Sequence, residues 1–257
     1  MRLHHRFDGP PDAPVLVLSS SLGTTLELWD VNVGALADRF RLLRYDHRGH
    51  GASPLQEGPY TVAVLAGDVL ELLDEHGLER VSFCGLSLGG AVGLWLGAFG
   101  AERIDRLVVA CSSARFGPPE GWLERAVTVR SEGVSPIAET VVGRWFTKDF
   151  ARREPDLVDH YRRMLEATPP EGYADCCEAI AAWDFRKSLG EVRVPSLVIS
   201  ASDDPSTPVE HGRLIAESVP GAELAIVDGA AHLANVAQPA EFARLVLRHL
   251  GMEGGRA

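Results

Sequence analysis

The stretch that decides the fold is Val81-Ser82-Phe83-Cys84-Gly85-Leu86-Ser87-Leu88-Gly89-Gly90. It opens on a mainly apolar run typical of a buried parallel strand, and apolar residues at helical spacing continue from Leu88 to about Phe99. A serine in Gly-x-Ser-x-Gly between a strand and a helix is the pattern of a nucleophile elbow, a tight turn that exposes the serine hydroxyl. Side chains at positions 85 and 89 would collide with neighbouring backbone, which accounts for the glycines. The pattern predicts a nucleophilic Ser87; the alternative is a Gly/Ser-rich turn without chemistry.

Short apolar runs on either side of this stretch alternate with helical patterns. Such alternation is typical of a mostly parallel sheet with helices on both faces. The runs cover residues 15–18, 41–45, 107–111, 197–199 and 224–227. The sequence therefore predicts an α/β fold built on a mostly parallel, twisted sheet.

Between residues 113 and 189 the strand-like runs stop, and amphipathic helical patterns take their place. These patterns cover residues 122–130, 137–146, 156–166 and 173–183. A helical block between two sheet strands is typical of a lid over one edge of the sheet. We predict one domain over residues 1–257, with a helical lid inserted at 113–189.

The composition is that of an ordinary globular protein, with 46% hydrophobic residues and a net charge of −11. That charge argues against a nucleic-acid partner and an anionic membrane surface, because both require a basic face. The sequence shows no signal-peptide pattern and no apolar run of the roughly 18 residues that a membrane helix needs. Its four cysteines have neither disulfide nor zinc spacing. We expect a cytoplasmic protein without cofactor or metal; whether it forms a homo-oligomer stays open.

An elbow serine needs a base within hydrogen-bond reach to become a good nucleophile. In enzymes with this elbow, an acid and then a histidine follow the serine along the chain. His232 lies in the loop after the last predicted strand, and we predict that it is the base. Asp203 and Asp204 both follow the strand at 197–199. Asp204 precedes a proline by four positions, the usual spacing of the acid in enzymes with this elbow, so it is the predicted acid and Asp203 the alternative.

Two further histidines, His47 and His50, lie in the turn-rich segment 46–51 at the end of a predicted strand. Of the histidines in the sequence, only His232 lies in a loop after the last predicted strand. We expect these two histidines to order their loop rather than to act as the base.

Hydrolysis through a serine also requires two backbone N–H groups that bind the oxyanion. The first should come from Leu88, directly after the nucleophile. The second should come from the polar loop after the strand at 15–18, where Ser21 is the predicted donor and Leu22 the fallback.

Over its whole length the chain resembles the α/β-hydrolase superfamily, and several segments are similar to the 3-oxoadipate enol-lactonases of aromatic degradation. These segments are residues 21–30 (Ser-Leu-Gly-Thr-Thr-Leu-Glu-Leu-Trp-Asp), 44–54 (Arg-Tyr-Asp-His-Arg-Gly-His-Gly-Ala-Ser-Pro), 83–90, 144–147 (Arg-Trp-Phe-Thr) and 170–180 (Pro-Glu-Gly-Tyr-Ala-Asp-Cys-Cys-Glu-Ala-Ile). The last is the most specific, because general hydrolases share the core motifs but not the Cys-Cys segment. Ser20 stands where the family often has asparagine, a departure that leaves the catalytic residues untouched.

The resemblance implies a small anionic substrate, a five-membered enol-lactone with a carboxymethyl group, which water opens to 3-oxoadipate in the β-ketoadipate pathway. Its carboxylate would bind an arginine, for which Arg144 is the first candidate and a solvated charge the alternative. Trp122, Trp145 and Trp183 are predicted to line the pocket, although aromatic residues at helical spacing are more often core.

Two other interpretations of the sequence stay open. A general carboxylesterase or a cofactor-free perhydrolase would share the core motifs and differ only in the lid. A non-catalytic binder on the same fold would have no need of a serine, an acid and a histidine together.

Overall fold

The computed structural model describes residues 2–252, which fold around a seven-stranded sheet. The strands are β1 (His5–Asp8), β2 (Val15–Ser19), β3 (Arg41–Tyr45), β4 (Val81–Leu86), β5 (Ile104–Ala110), β6 (Ser196–Ala201) and β7 (Glu223–Val227). Their order in the sheet is β1-β3-β2-β4-β5-β6-β7. All neighbours pair in parallel except β1, which is antiparallel to β3. The predicted mostly parallel sheet is confirmed.

Helices cover both faces of the sheet. They are α1 (Asp30–Leu36), α2 (Val62–Glu75), α3 (Leu88–Phe99), α4 (Pro119–Glu132), α5 (Ser135–Trp145), α6 (Lys148–Arg153), α7 (Pro155–Glu166), α8 (Pro170–Ala181), α9 (Val209–Ser218), α10 (Ala234–Ala237) and α11 (Pro239–His249). Every residue of β4 and of β6 is buried, as expected of parallel strands that helices cover on both sides. Among residues 2–252, no helix combines the length and the apolar character that crossing a bilayer requires.

The order of the strands locates the crevice of the fold. β3, the strand that follows β2 along the chain, lies on one side of β2, whereas β4 and the later strands lie on its other side. In open α/β sheets, ligands bind outside the carboxyl ends of the strands where the order reverses in this way. The loop after β2 and the turn after β4 both emerge at that point, so the topology brings residues 20–23 next to Ser87.

Helices α4–α8, here called the helical insert, lie between β5 and β6 along the chain. They occupy the region in which the sequence predicts helices, with α6 as an additional short helix. Two glycines allow the insert to approach the loops at the crevice. A Cβ on Gly172 would lie 2.1 Å from the Gly49 carbonyl oxygen, and a Cβ on Gly23 would lie 2.4 Å from a Leu165 methyl. The insert is therefore packed directly against the loops after β2 and β3.

The turn between β4 and α3 depends on equally close backbone contacts. A Cβ on Gly85 would lie 2.0 Å from the carbonyl oxygen of Gly89, and one on Gly89 would lie 2.3 Å from that of Ser19. Real Cβ atoms do not approach backbone oxygens this closely, so both positions require glycine. The predicted role of the two glycines is thereby explained by named contacts.

We predict that Gly85→Ala lowers the free energy of unfolding by about 3 kcal/mol or more, because the rigid backbone of Gly89 cannot move away. Gly67→Ala in α2 is the matched control: its Cβ would meet nothing within 4 Å, and alanine favours a helix interior by about 1 kcal/mol. Urea unfolding of both variants tests this. Equal stability of the two variants would contradict the argument.

Candidate active site

Ser87 lies at the strained point of the elbow, between the last residue of β4 and the first of α3. Its φ of 58° and ψ of −112° are a conformation that non-glycine residues rarely adopt. The backbone around it is held from two sides: its N–H donates to the Ala110 carbonyl (2.9 Å), and the Ser112 hydroxyl donates to its carbonyl (2.7 Å). Such strain costs on the order of 1–3 kcal/mol and persists only where neighbours fix it. Here it presents the Ser87 side chain at the N-terminus of α3.

His232 and Asp204 form a buried hydrogen-bonded pair. His232 follows β7, Asp204 follows β6, and the distance from His232 Nδ1 to Asp204 Oδ2 is 2.8 Å. Asp203 instead lies at the surface, where its carboxylate accepts a hydrogen bond from the Ser202 hydroxyl (2.6 Å). The structure thus places Asp204, and not Asp203, against the histidine.

The Asp204 carboxylate is held by four donors. Its Oδ1 accepts from the N–H groups of Ser206 (2.7 Å) and Thr207 (3.1 Å), and its Oδ2 accepts from the Thr207 hydroxyl (2.6 Å) as well as from His232. Burial by itself raises the pKa of Asp204, but the charge and hydrogen bond of His232 and the hydrogen bonds from Thr207 outweigh it, and the pKa lies below its ordinary value. The carboxylate is therefore ionised at neutral pH and fixes the ring of His232.

A cavity of about 400 Å³ lies between the sheet crevice and the helical insert. Ser87 and His232 both line it, as do Ser21 and Leu22 of the loop after β2. The structure thus brings the predicted nucleophile, the predicted base and the predicted oxyanion loop to one space.

The loop after β2 is arranged so that Leu22 offers a free amide. The Ser20 carbonyl accepts from the Gly89 N–H at 3.1 Å. Because the C=O and N–H of one trans peptide point in opposite directions, the Ser21 N–H is directed away from the Gly89 amide. The Ser21 carbonyl accepts from the Thr24 N–H and hydroxyl, which turns the Leu22 N–H away from Thr24. Within residues 2–252 the N–H groups of Ser21, Leu22 and Leu88 all lack a hydrogen-bond partner, so the orientation of the peptides distinguishes Leu22 from Ser21.

Two guanidinium groups border the cavity, Arg144 on α5 and Arg125 on α4. Neither has a carboxylate within ion-pair distance in the described part of the chain. Arg144 is exposed. Arg125 is half-buried, with its guanidinium carbon 4.5 Å from the centre of the Trp122 ring and close to the Tyr173 hydroxyl. Both arginines are available to an anionic ligand.

The three tryptophans predicted to line the pocket do not share one environment. Trp122 and Trp145 line the cavity. Trp183 does not: it is buried, it stacks on Phe185 with ring centres 4.7 Å apart, and its indole N–H donates to the Ser113 carbonyl at 2.9 Å. The prediction for Trp183 is therefore wrong, because its helical pattern extends past the true end of α8 at Ala181 and the residue packs in the core.

Besides Pro205 and Ser206 of the loop after β6, sequence reasoning did not find several residues of the cavity wall on or beside the helical insert. They are Phe116, Pro118, Gly121, Arg125, Val141, Tyr173 and Ile180. For Arg125 a signal was available: it lies three residues after Trp122, so both side chains share one face of the same predicted helix. The others are apolar or aromatic residues, for which helical spacing does not distinguish core from cavity.

The comparisons with known proteins agree with this geometry. Residues 14–239 match the family model of the alpha/beta hydrolase fold. The sheet order, the elbow serine and the acid–histidine pair define the same class, so the protein is a hydrolase that acts on ester bonds.

More specific relatives are also found. A 3-oxoadipate enol-lactonase of Acinetobacter baylyi is 39% identical over 240 residues, 93% of this chain and 90% of that protein. The crystal structure of the enol-lactonase from Burkholderia xenovorans LB400 has a TM-score of 0.95 and 43% identity, covering 97% of this chain and 96% of that one. RutD of a Caulobacter species, to which carbamate hydrolysis is ascribed, is 31% identical over 98% of this chain and 96% of its own length. The chain belongs to the α/β-hydrolase superfamily and, within it, to the family of the 3-oxoadipate enol-lactonases.

We predict that Thr207→Val lowers the free energy of unfolding at pH 7 by about 1.5–3 kcal/mol, the usual loss for a hydrogen bond to a charged group. The Asp204 pKa is lowered by folding, so its stabilising effect is present above its unfolded value of about 3.9 and is lost as the pH falls through the folded value. The deficit of the variant should therefore shrink below about pH 4. Urea unfolding from pH 3 to 8 measures it, and Thr207→Ser should restore the stability. A deficit independent of pH would show that only packing was lost.

Proposed function

We propose that the protein hydrolyses 3-oxoadipate enol-lactone to 3-oxoadipate through the triad Ser87, His232 and Asp204. The observation that supports this most is the cavity that Ser87 and His232 share with two arginines for which the described residues provide no carboxylate partner. A serine nucleophile accounts for opening a lactone, and the cationic side of the cavity accounts for a substrate that carries a free carboxylate.

The first half of the reaction forms an acyl-enzyme. The Ser87 hydroxyl oxygen attacks the lactone carbonyl carbon while His232 Nε2 takes its proton. Asp204 holds the ring through Nδ1 and stabilises the imidazolium that forms. The oxyanion accepts hydrogen bonds from the Leu88 N–H and from the loop after β2. There the orientation of the peptides favours Leu22 over Ser21 as the second donor.

The second half returns the free enzyme. Collapse of the tetrahedral intermediate breaks the ring C–O bond, and His232 gives its proton to the enolate oxygen, which needs less help than an alkoxide. The resulting enol stays attached to the acyl group and becomes a ketone. Water then gives a proton to His232 and attacks the acyl carbon, and 3-oxoadipate leaves as Ser87 takes the proton back. Neither half requires a metal or a cofactor.

The substrate carboxylate is proposed to bind at the guanidinium side of the cavity. Arg144 lies directly before Trp145 at the end of α5, and Arg125 faces the same space from α4. Arg125 is the less solvated of the two, and its stacking on Trp122 limits its motion. A charged hydrogen bond is stronger where water is excluded, so Arg125 should contribute more to substrate binding than Arg144.

We predict that the purified protein causes a rapid loss of the ultraviolet absorbance of 3-oxoadipate enol-lactone. Ser87→Ala should abolish this loss, except for the small residual rate that stabilisation of the oxyanion alone can support. Asp204→Asn should lower kcat by about 10⁴-fold, because the histidine would be held in the wrong tautomer. Asp203→Asn is the matched control and should leave kcat unchanged. Slow loss beside brisk hydrolysis of neutral phenyl esters would instead make the protein a general esterase, and no turnover of either would favour a binder.

We predict that Arg125→Gln raises KM for the enol-lactone about 10–100-fold, the equivalent of losing one charge-assisted hydrogen bond, and leaves kcat nearly unchanged. Arg144→Gln should raise KM less. The methyl ester of the same lactone lacks the carboxylate, so both variants should hydrolyse it with the KM of the unmodified protein. If the variants lose the free acid and the methyl ester equally, the arginines shape the cavity and do not bind the carboxylate.

A further inference from the structure

Two buried histidines that the proposed mechanism does not use lie behind the loop after β2. His47 and His50 follow β3, and both are fully enclosed, at 1% and 0% exposure. Neither lines the cavity with Ser87. Their rings instead contact the backbone of residues 20–23, the segment that carries the proposed oxyanion donor.

His47 fixes the first peptide of this segment. Its Nε2 donates to the Ser20 carbonyl at 3.0 Å, the same oxygen that accepts from the Gly89 N–H at 3.1 Å. With two donors on one carbonyl, the Ser20–Ser21 peptide has a single orientation, tied at once to β3 and to the N-terminus of α3.

His50 fixes the third peptide of the segment. Its Nε2 lies 3.1 Å from the Gly23 nitrogen and accepts that N–H, while its Nδ1 faces the Arg48 carbonyl at 3.3 Å. Burial lowers the pKa of each of the two histidines to about 4, so both are neutral at pH 7. A neutral imidazole has one N–H donor and one acceptor nitrogen, so His47 Nε2 can donate while His50 Nε2 accepts.

The peptide between these two is the one that bears the Leu22 N–H. Its own carbonyl, on Ser21, accepts from Thr24, so three successive peptide planes are each held by a hydrogen bond. Without an acceptor on His50, the buried Gly23 N–H would be unsatisfied, and the chain could rotate about Leu22 to find another partner.

We propose that His50, with His47 in support, is a positioning residue that holds the Leu22 amide toward the oxyanion of the reaction. The inference rests on the proposed function only in taking Ser87 as the nucleophile. According to this inference, the two histidines help to stabilise the transition state and do not bind the substrate, since neither lines the cavity.

The test compares His50→Asn with His50→Gln. The amide oxygen of glutamine reaches the position of histidine Nε2 and can accept the Gly23 N–H, whereas the shorter asparagine cannot. His50→Asn should lower kcat for the enol-lactone by up to 10²–10³-fold, the range for loss of one oxyanion donor, with little change in KM. His50→Gln should recover kcat to within about tenfold of the unmodified protein.

A second readout separates the oxyanion site from general damage and does not depend on the lactone. Diethyl 4-nitrophenyl phosphate phosphorylates a serine nucleophile: the Ser87 oxygen–phosphorus bond forms, the bond to 4-nitrophenolate breaks, and His232 takes the serine proton. The phosphoryl oxygen occupies the oxyanion site, and the thiophosphoryl analogue, with sulfur there, is a poor acceptor. His50→Asn should slow phosphorylation by the oxygen compound far more than phosphorylation by the sulfur compound. His50→Gln should restore fast phosphorylation by the oxygen compound.

The outcomes are distinct. Equal loss with both phosphorus compounds, or full kcat in His50→Asn, would overturn the inference and leave the histidines as core residues. If His50→Asn does not fold, the pair His47→Asn and His47→Gln tests the same clamp through Ser20, because glutamine also offers an N–H at the Nε2 position. If the unmodified protein reacts with the phosphorus compounds but not with the lactone, the proposed substrate is wrong, and a greater loss with the oxygen compound than with the sulfur compound in His50→Asn still supports the inference. Reaction with neither would overturn both.

Discussion

The close contact of the β4–α3 turn with the end of β2 is the constraint on which the site depends. At this turn Gly89 lies against the Ser19 backbone and donates its N–H to Ser20. Because β2 and β4 are neighbours in the sheet, one contact sets both the elbow that presents Ser87 and the loop that offers Leu22. The strain at Ser87 is tolerated because this packing leaves the turn no alternative conformation. The proposed nucleophile and oxyanion donors are thus positioned as one unit, and Asp204 and His232 are added to it from the loops after β6 and β7.

The helical insert is joined to this unit by backbone as well as by side chains. The carbonyls of Arg144 and Trp145, at the end of α5, accept from the N–H groups of His232 (3.4 Å) and Leu233 (3.1 Å). On the other side, Met164 sulfur accepts the Thr25 N–H at 3.4 Å. The insert side of the cavity wall is therefore held in a fixed position relative to His232 and the loop after β2. In the proposed function the catalytic residues lie on the sheet and the substrate-binding residues on the insert, which is why core motifs alone define a class of enzyme and not a substrate.

What the sequence predicts follows from how local each signal is. The helix over Leu88–Phe99 and the strand over Arg41–Tyr45 have the predicted bounds, because their burial patterns and adjoining turns are local. β1 went unpredicted: it is short, carries charged residues and lies at the edge of the sheet, where it pairs with β3. The preference for Asp204 rested on its spacing to a proline, and the structure supplies the reason in the donors around its carboxylate. For Trp183, amphipathic spacing could not distinguish a cavity wall from the core.

Because the protein carries a net negative charge, the two arginines at the cavity decide whether an anion can bind there. A net charge of −11 produces an average field that repels a carboxylate, so binding of a carboxylate requires a local concentration of positive charge. Most arginines of the insert do not provide such a positive charge, since residues such as Arg130 are neutralised by surrounding carboxylates. At the cavity the pattern reverses: Arg125 stacks on an aromatic ring and Arg144 has no acidic neighbour within ion-pair distance among the described residues. Under the proposed function, the substrate carboxylate would be the counter-ion of these two guanidinium groups, and that links the electrostatics of the insert to the ester chemistry of the sheet.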